Sequence, residues 1–260
     1  MTYSQRECLK PLSLYCKVKE YLTYLSNKYE TEEFLIGDPS WFMHQVVGES
    51  NQELLAFIAA SLSYGSRKQF LPKIQFILDC SKGNVTEWLL SGQFKKDIPD
   101  SEKCFYRLYT CSTMQKMLSA LQELVSSYGS LKNYVGKGTC YEAIEKIVTF
   151  FSARGVEVII PKNTQSSCKR LCMFLRWMVR DDSPVDLGLW KDIIDKRTLI
   201  IPMDTHVMQE ANRLGLINCK TASMSSAMKL TEKLREFFPD DPLKGDFALF
   251  GVGVDVDVAK

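Results

Sequence analysis

The chain has 260 residues, 45% of them hydrophobic and 25% charged, a mix that excludes a disordered, fibrous or low-complexity protein. Its 33 Lys and Arg stand against 31 Asp and Glu, and a formal net charge of +2 excludes a uniformly basic coat for nucleic acid. A local basic patch is invisible to that sum.

The opening residues Met1 to Arg6 lack an apolar signal core, and no apolar run reaches the roughly 18 residues of a membrane span. The expectation is a cytoplasmic protein with no membrane partner. From Leu12 to Tyr29, apolar residues at Leu14, Tyr15, Val18, Tyr21, Leu22 and Leu25 follow the stripe of an amphipathic helix. Asp38-Pro39 marks a turn, and Pro39 suits the start of a short helix. Asn51 to Tyr64 is apolar nearly all round, which predicts a buried central helix. A polar corner, Gly65-Ser66-Arg67-Lys68-Gln69, precedes another helix from Phe70 to Cys80.

Further helices are predicted at Met114–Tyr128, Cys140–Ala153, Cys168–Arg180, Thr205–Leu214 and Ala222–Phe237. Val156 to Ile160 has the composition of a strand but no obvious partner, and Val252 to Val258 reads as a weak strand or loose tail. The fold class is therefore all-α, with packed helical halves: one around residues 30–150, the other from about 151 to 260 together with the N-terminal helix. The nine cysteines include no C-x-x-C pair, and His44 and His206 are the imidazoles. No zinc-ligand spacing appears, and reduced thiols are expected.

Charge is concentrated in one place. Residues 161–180 read PKNTQSSCKRLCMFLRWMVR and hold Lys162, Lys169, Arg170, Arg176 and Arg180 with no acid, a local +5, so the other 240 residues sum to −3. Ser166 or Ser167 is a good N-cap for the helix that follows. On that helix Lys169, Arg176 and Arg180 fall within about 20° of one line. Such a line is either a solvated face or a cationic surface for phosphates. At the helix start, the dipole and the neighbouring guanidiniums favour the neutral, nucleophilic form of Lys169. Further on, the apolar run Ile200-Ile201-Pro202-Met203 meets Asp204, Thr205 and His206 at the start of the next helix. Asp204 there is either a helix cap or a carboxylate held ionised to face positive charge.

Taken in order, a Lys near one helix start and then Pro-x-Asp-Thr-His-Val opening another resemble the helix-hairpin-helix (HhH-GPD) DNA glycosylases. Asp38-Pro39, Ala56–Leu62, Tyr64-Gly65, Lys68-Gln69, the run 168–180 and DFALFG at 246–251 extend the likeness over most of the chain. They are similar to a bacterial family of unknown function related to the archaeal 8-oxoguanine glycosylases. The resemblance implies a cleft between the helical halves and removal of a damaged base, 8-oxoguanine being one candidate, from double-stranded DNA. It implies a monomer, nucleoid-associated if bacterial. Lys169 falls on the catalytic lysine, which forms a Schiff base with associated abasic-site lyase activity, and Asp204 on the catalytic aspartate.

Lys162, Asn163, Ser166, Ser167, Arg170, Arg176, Arg180 and His206 are the implied DNA contacts. Arg170, Arg176 and Arg180 have the alternative of pairing with acids in the core or in the stretch Asp181–Asp195. Lys68, Gln69, Phe174 and Trp177 are candidates for a base pocket, against the plainer readings of a solvated turn and core aromatics. The superfamily's Leu-Pro-Gly-Val-Gly hairpin is replaced by Ile160 to Ser167, without glycine, and 35 residues separate Lys169 from Asp204. Cys219 is the sole cysteine after Asp204, so no iron–sulfur cluster, metal or other cofactor is implied. The competing classes are a catalytically silent DNA- or RNA-binding module of the same fold and a helical protein-interaction domain.

Overall fold

The computed structural model describes residues 9–258, with side chains from residue 15 to residue 252. The opening residues Met1 to Arg6 and Cys8, discussed above from sequence, lie outside the described residues. The described chain is mainly helical. Its helices are α1 (Leu9–Tyr29), α2 (Glu49–Leu62), α3 (Arg67–Ser81), α4 (Val85–Leu90), α5 (Phe94–Asp97), α6 (Cys111–Tyr128), α7 (Leu131–Val135) and α8 (Cys140–Ser152). They continue with α9 (Lys169–Val179), α10 (Thr205–Arg213), α11 (Met224–Phe237) and α12 (Lys244–Val258). A two-stranded antiparallel hairpin, β1 (Cys104–Tyr106) and β2 (Tyr109–Thr110), interrupts the helices.

Helix α2 is central, as its all-round apolar sequence requires: every residue from Glu53 to Leu62 is buried. Phe57 stacks on Phe151 with ring centroids 5.2 Å apart and meets Phe174 of α9 edge-on at 5.3 Å. Each such fully buried large side chain contributes about 1.5–3 kcal/mol from its removal from water. Glu53, buried in this helix, accepts from the backbone N–H groups of Leu131 and Lys132 at 2.9 and 3.0 Å and from Trp190 Nε1 at 2.9 Å. Burial pushes its pKa up, and these three donors and Lys132 oppose that only in part. One carboxylate thereby caps α7 and ties the stretch 181–198 to the central helix.

The first helix packs along the last. A Cβ on Gly251 would sit 2.0 Å from the ring of Tyr29, so α12 approaches α1 closely there because residue 251 has none. This region corrects the weak strand or loose tail predicted at Val252–Val258: the apolar run of α12 simply continues. The strand composition at Val156–Ile160 also gives no strand. Ile159 and Ile160 both donate N–H to the Val156 carbonyl at 3.0 Å, closing tight turns that bury the two isoleucines.

Candidate active site

Asp204 begins α10 in extended conformation after a buried approach through Ile200, Ile201 and Met203. Its Oδ1 accepts from the Val207 N–H at 2.8 Å, the N-cap bond that a carboxylate at this position makes. Capping leaves Oδ2 available, and Lys169 Nζ donates to it at 2.6 Å. Cap and ion pair, alternatives on sequence alone, coexist because the carboxylate has two oxygens. Burial by itself raises the pKa of Asp204, but the charge and hydrogen bond of Lys169, the Val207 amide and nearby His206 outweigh it and hold the carboxyl below its ordinary value.

Lys169 is the first residue of α9. The N-cap is Cys168, a non-glycine residue in left-handed conformation (φ 46°, ψ 35°), with no side-chain cap bond. This corrects the expectation that Ser166 or Ser167 caps the helix. The left-handed turn delivers Lys169 at the helix start with its side chain 40% exposed, and that of Asp204 is 38% exposed. Left-handed backbone costs a non-glycine residue on the order of 1–2 kcal/mol.

The pair stands between two adjoining hollows that share Asp38, Arg67, Lys169, Met173 and Asp204 in their walls. The smaller, about 220 Å³, has an aromatic side formed by Phe34, Phe247 and Phe250. Phe34 meets both of the other rings edge-on at 5.0 Å. The larger, about 390 Å³, runs along Tyr64, Gly65, Phe70 and Arg170. Arg67 Nη2 donates to Asp38 Oδ2 at 3.1 Å and lies over the Phe250 ring, 5.5 Å from its centroid. Asp38 in turn holds the Pro39–Gln45 turn through Ser40, so the arginine is braced from below. Arg170 Nη1 donates to the Ser61 carbonyl and the Tyr109 hydroxyl at 2.8 and 2.5 Å, and no carboxylate among the described residues pairs with it. The cleft thus joins a lysine amine, a carboxylate, an aromatic pocket and a cation without a carboxylate partner among the described residues.

Residues 38–255 match the family described as Protein of unknown function (DUF2400). The chain belongs to that family. Comparison with curated proteins and with solved structures gives no match. The matched segment of the family opens at Asp38 and contains Lys169, Asp204 and Phe250, which are walls of the cleft. No helix among the described residues is long and apolar enough to cross a membrane. No group of three or more His, Cys, Asp or Glu among them is placed to hold a metal ion.

Of the residues singled out from sequence, Lys169, Asp204, Arg170 and His206 border the cleft. Lys162, Asn163 and Ser166 are exposed on the segment that leads into α9, outside both hollows. That segment is pinned at Ser166, which bridges to Ser223, and at Gln165, whose carbonyl accepts from Met224 N at 3.3 Å. Ser167 is buried and its carbonyl accepts from Cys172 Sγ, so its expected role at DNA is corrected.

For Arg176 and Arg180 the structure shows the second of their two readings, pairing with acids, in place of contact with DNA: they are 5% and 1% exposed. Arg176 pairs with Asp186 at 3.2 Å and with Asp246 at 2.5 Å. Arg180 pairs with Asp186, Asp241 and Glu30 at 2.5, 2.8 and 2.7 Å. Burial works against charge on Arg180, and these carboxylates more than offset it, so its pKa is raised. Arg176 nonetheless lines the smaller hollow, beside its partner Asp246.

The base-pocket candidates fail on placement. Phe174 and Trp177 are fully buried; Phe174 packs edge-on against Phe57 and Trp190, and the Trp177 indole N–H has no acceptor. Lys68 and Gln69 are exposed but border neither hollow. Their neighbour Arg67 does, at the first residue of helix α3, which starts three residues earlier than predicted. Phe34 and Met173 were missed altogether, since single apolar residues carry no sign of lining a cleft. Tyr64 and Asp38 enter from sequence only through the family likeness and, for Asp38, as a turn marker.

Proposed function

We propose that the protein is a DNA glycosylase with associated abasic-site lyase activity, of helix-hairpin-helix type, that acts on a damaged base in duplex DNA. The observation carrying this reading is the contact between Lys169 Nζ and Asp204 Oδ2, 2.6 Å apart and both part-exposed at the floor of the cleft. Substrate is a nucleotide turned out of the stack, its base in the aromatic hollow and its sugar over the lysine. The amine gives up its proton to solvent as the nucleotide seats over it, so Asp204 stays ionised. Lys169 Nζ then forms a bond to C1′ as the glycosidic bond breaks and the base departs with the bonding electrons. Positive charge that develops on the sugar faces the Asp204 carboxylate, which its environment keeps ionised. Ring opening gives a Schiff base between Nζ and C1′, and loss of the 3′ phosphate by β-elimination cleaves the strand.

The reading is tested by borohydride trapping on duplexes carrying 8-oxoguanine, other oxidised bases or an abasic site. Wild type is expected to give a covalent protein–DNA adduct and Lys169→Gln none. Equal adducts from both proteins remove Lys169 from the mechanism. Salt-sensitive DNA binding without any adduct across the panel identifies a silent binding module instead.

A further inference from the structure

We infer that a separate hollow further along α3 binds an unpaired nucleotide of the lesion strand, its base on Phe76 and its phosphate against Lys73 and Lys103. This rests on the reading of the cleft and narrows its substrate to duplex DNA whose lesion borders an unpaired stretch. Helix α3 begins at the cleft, where Arg67 and Phe70 line the larger hollow. It runs on to a second site of about 440 Å³, with Pro72, Lys73 and Phe76 in its walls and Lys103 and Phe105 completing them. Phe76 is the one exposed phenylalanine among the described residues. It meets Phe105 edge-on, ring centroids 6.0 Å apart, so part of its ring stays open to a ligand. Pro72 stands inside the helix, where proline removes a hydrogen bond, and adds a second flat apolar surface.

The charge around this aromatic surface is positive. Lys73, at i,i+3 from Phe76 and so on the same face of α3, holds its Nζ over the Phe105 ring, 5.2 Å from the centroid. Neither Lys73 nor Lys103 pairs with a carboxylate among the described residues. Asp97 is the carboxylate in the walls, and its oxygens accept from Trp88 Nε1 at 2.7 Å and Gln93 Nε2 at 3.3 Å. An open ring beside such cations suits a nucleotide, because every base has a face to stack and every nucleotide a phosphate. In a duplex, neighbours cover both faces of a base, so only an unpaired nucleotide can bring one to Phe76. From Phe70 to Phe76 the helix rises about 9 Å, which a stacked strand covers in about three nucleotides.

The test measures binding to duplexes with a tetrahydrofuran abasic analogue, which cannot form a Schiff base. One duplex is blunt; two others open into unpaired oligothymidine about three nucleotides to the 5′ or 3′ side of the analogue. Wild type is expected to bind one tailed DNA about tenfold more tightly than the blunt duplex. Phe76→Leu, which keeps the apolar packing but has no ring, is expected to lose that preference and to bind the blunt duplex as wild type does. Phe76→Trp restores it. Lys73→Ala lowers the salt dependence on the tailed DNA alone, by about one phosphate contact. Equal affinity of wild type for all three DNAs overturns the site, and a hollow that receives a peptide instead gives this result. A tail preference that survives in Phe76→Leu overturns it as well. Borohydride trapping on natural abasic sites separates the two readings. Adducts without a tail preference keep Lys169 in its role and remove the nucleotide site. A tail preference that needs Phe76, without adducts, keeps the site and removes the glycosylase chemistry.

Discussion

The two ends of α9 carry the same chemistry, cation against carboxylate, in opposite surroundings. Lys169 and Asp204 keep 40% and 38% of their side chains exposed, whereas Arg180 and Asp186 keep 1% and 0%. The three cations lie on one line of the helix, yet over about 16 Å that line runs from a cleft floor into the interior. A basic stripe in sequence is thus no guarantee of a basic surface, because a helix that dives into a core takes its charges with it. The exposed end gains little stability from its pair and leaves the groups reachable. The buried end supplies each guanidinium with several carboxylates, and losing one member strands the rest.

Two substitutions break this contrast most sharply. Lys169→Gln is expected to abolish borohydride trapping while leaving the melting temperature nearly unchanged, since a half-exposed pair contributes about 0–1 kcal/mol. A large fall in melting temperature would instead place Lys169 with the structural cations. Arg180→Ala is expected to do the reverse. It leaves Asp241 buried without its arginine and Asp186 with Arg176 alone, and costs about 3–5 kcal/mol, read as a lower urea midpoint at unchanged slope. Protein that remains folded should still be trapped. Arg180→Met, which fills the volume without charge, isolates how much of that cost is lost packing.

Asp204→Asn sits between the two. Asparagine caps a helix about as well as aspartate, so the bond to the Val207 amide survives and only the charge is lost. Single-turnover trapping on an abasic duplex is expected to slow about 10²–10³-fold, the usual effect of removing one group aimed at transition-state charge. Little change in rate with a loss of stability would reduce Asp204 to a helix cap.

Which of these features could be read from sequence follows from range. The long amphipathic helices have strong local periodicity, and α8 begins at Cys140 and α10 at Thr205 as predicted. Lys169 and Asp204 each stand at a helix start, a position that local signals mark. The hairpin Cys104–Thr110 was invisible, being three residues and two joined by an Arg-Leu turn without glycine, asparagine or aspartate. The aromatic wall was legible only in part. Phe247 and Phe250 read from sequence as packing of the last helix that could rim a pocket, whereas Phe34, which meets both rings only through tertiary packing, resembles any core phenylalanine. Of the Arg176 and Arg180 partners, Asp186 lies in the acidic stretch that the sequence offers, whereas Glu30, Asp241 and Asp246 lie too far along the chain for charge counting to pair them.

The smallest expected effect is a pH dependence at the exposed end. The folded environment lowers the Asp204 pKa, whereas in the unfolded chain the group titrates near about 3.9. A depressed carboxyl contributes stability that is fully present above the unfolded value and disappears as pH falls through the folded one. Subtracting the urea stability of Asp204→Asn from that of wild type cancels the other titrating groups. The difference should be at most about 1 kcal/mol at neutral pH, because the pair is more than a third exposed and screened by solvent. It should stay level down to roughly pH 5 and close below about pH 4. A difference that grows on acidification has the opposite sign and belongs to a carboxyl raised by burial. Lys169 and His206 would then fail to outweigh desolvation, and the aspartate would be a poor partner for positive charge on the sugar.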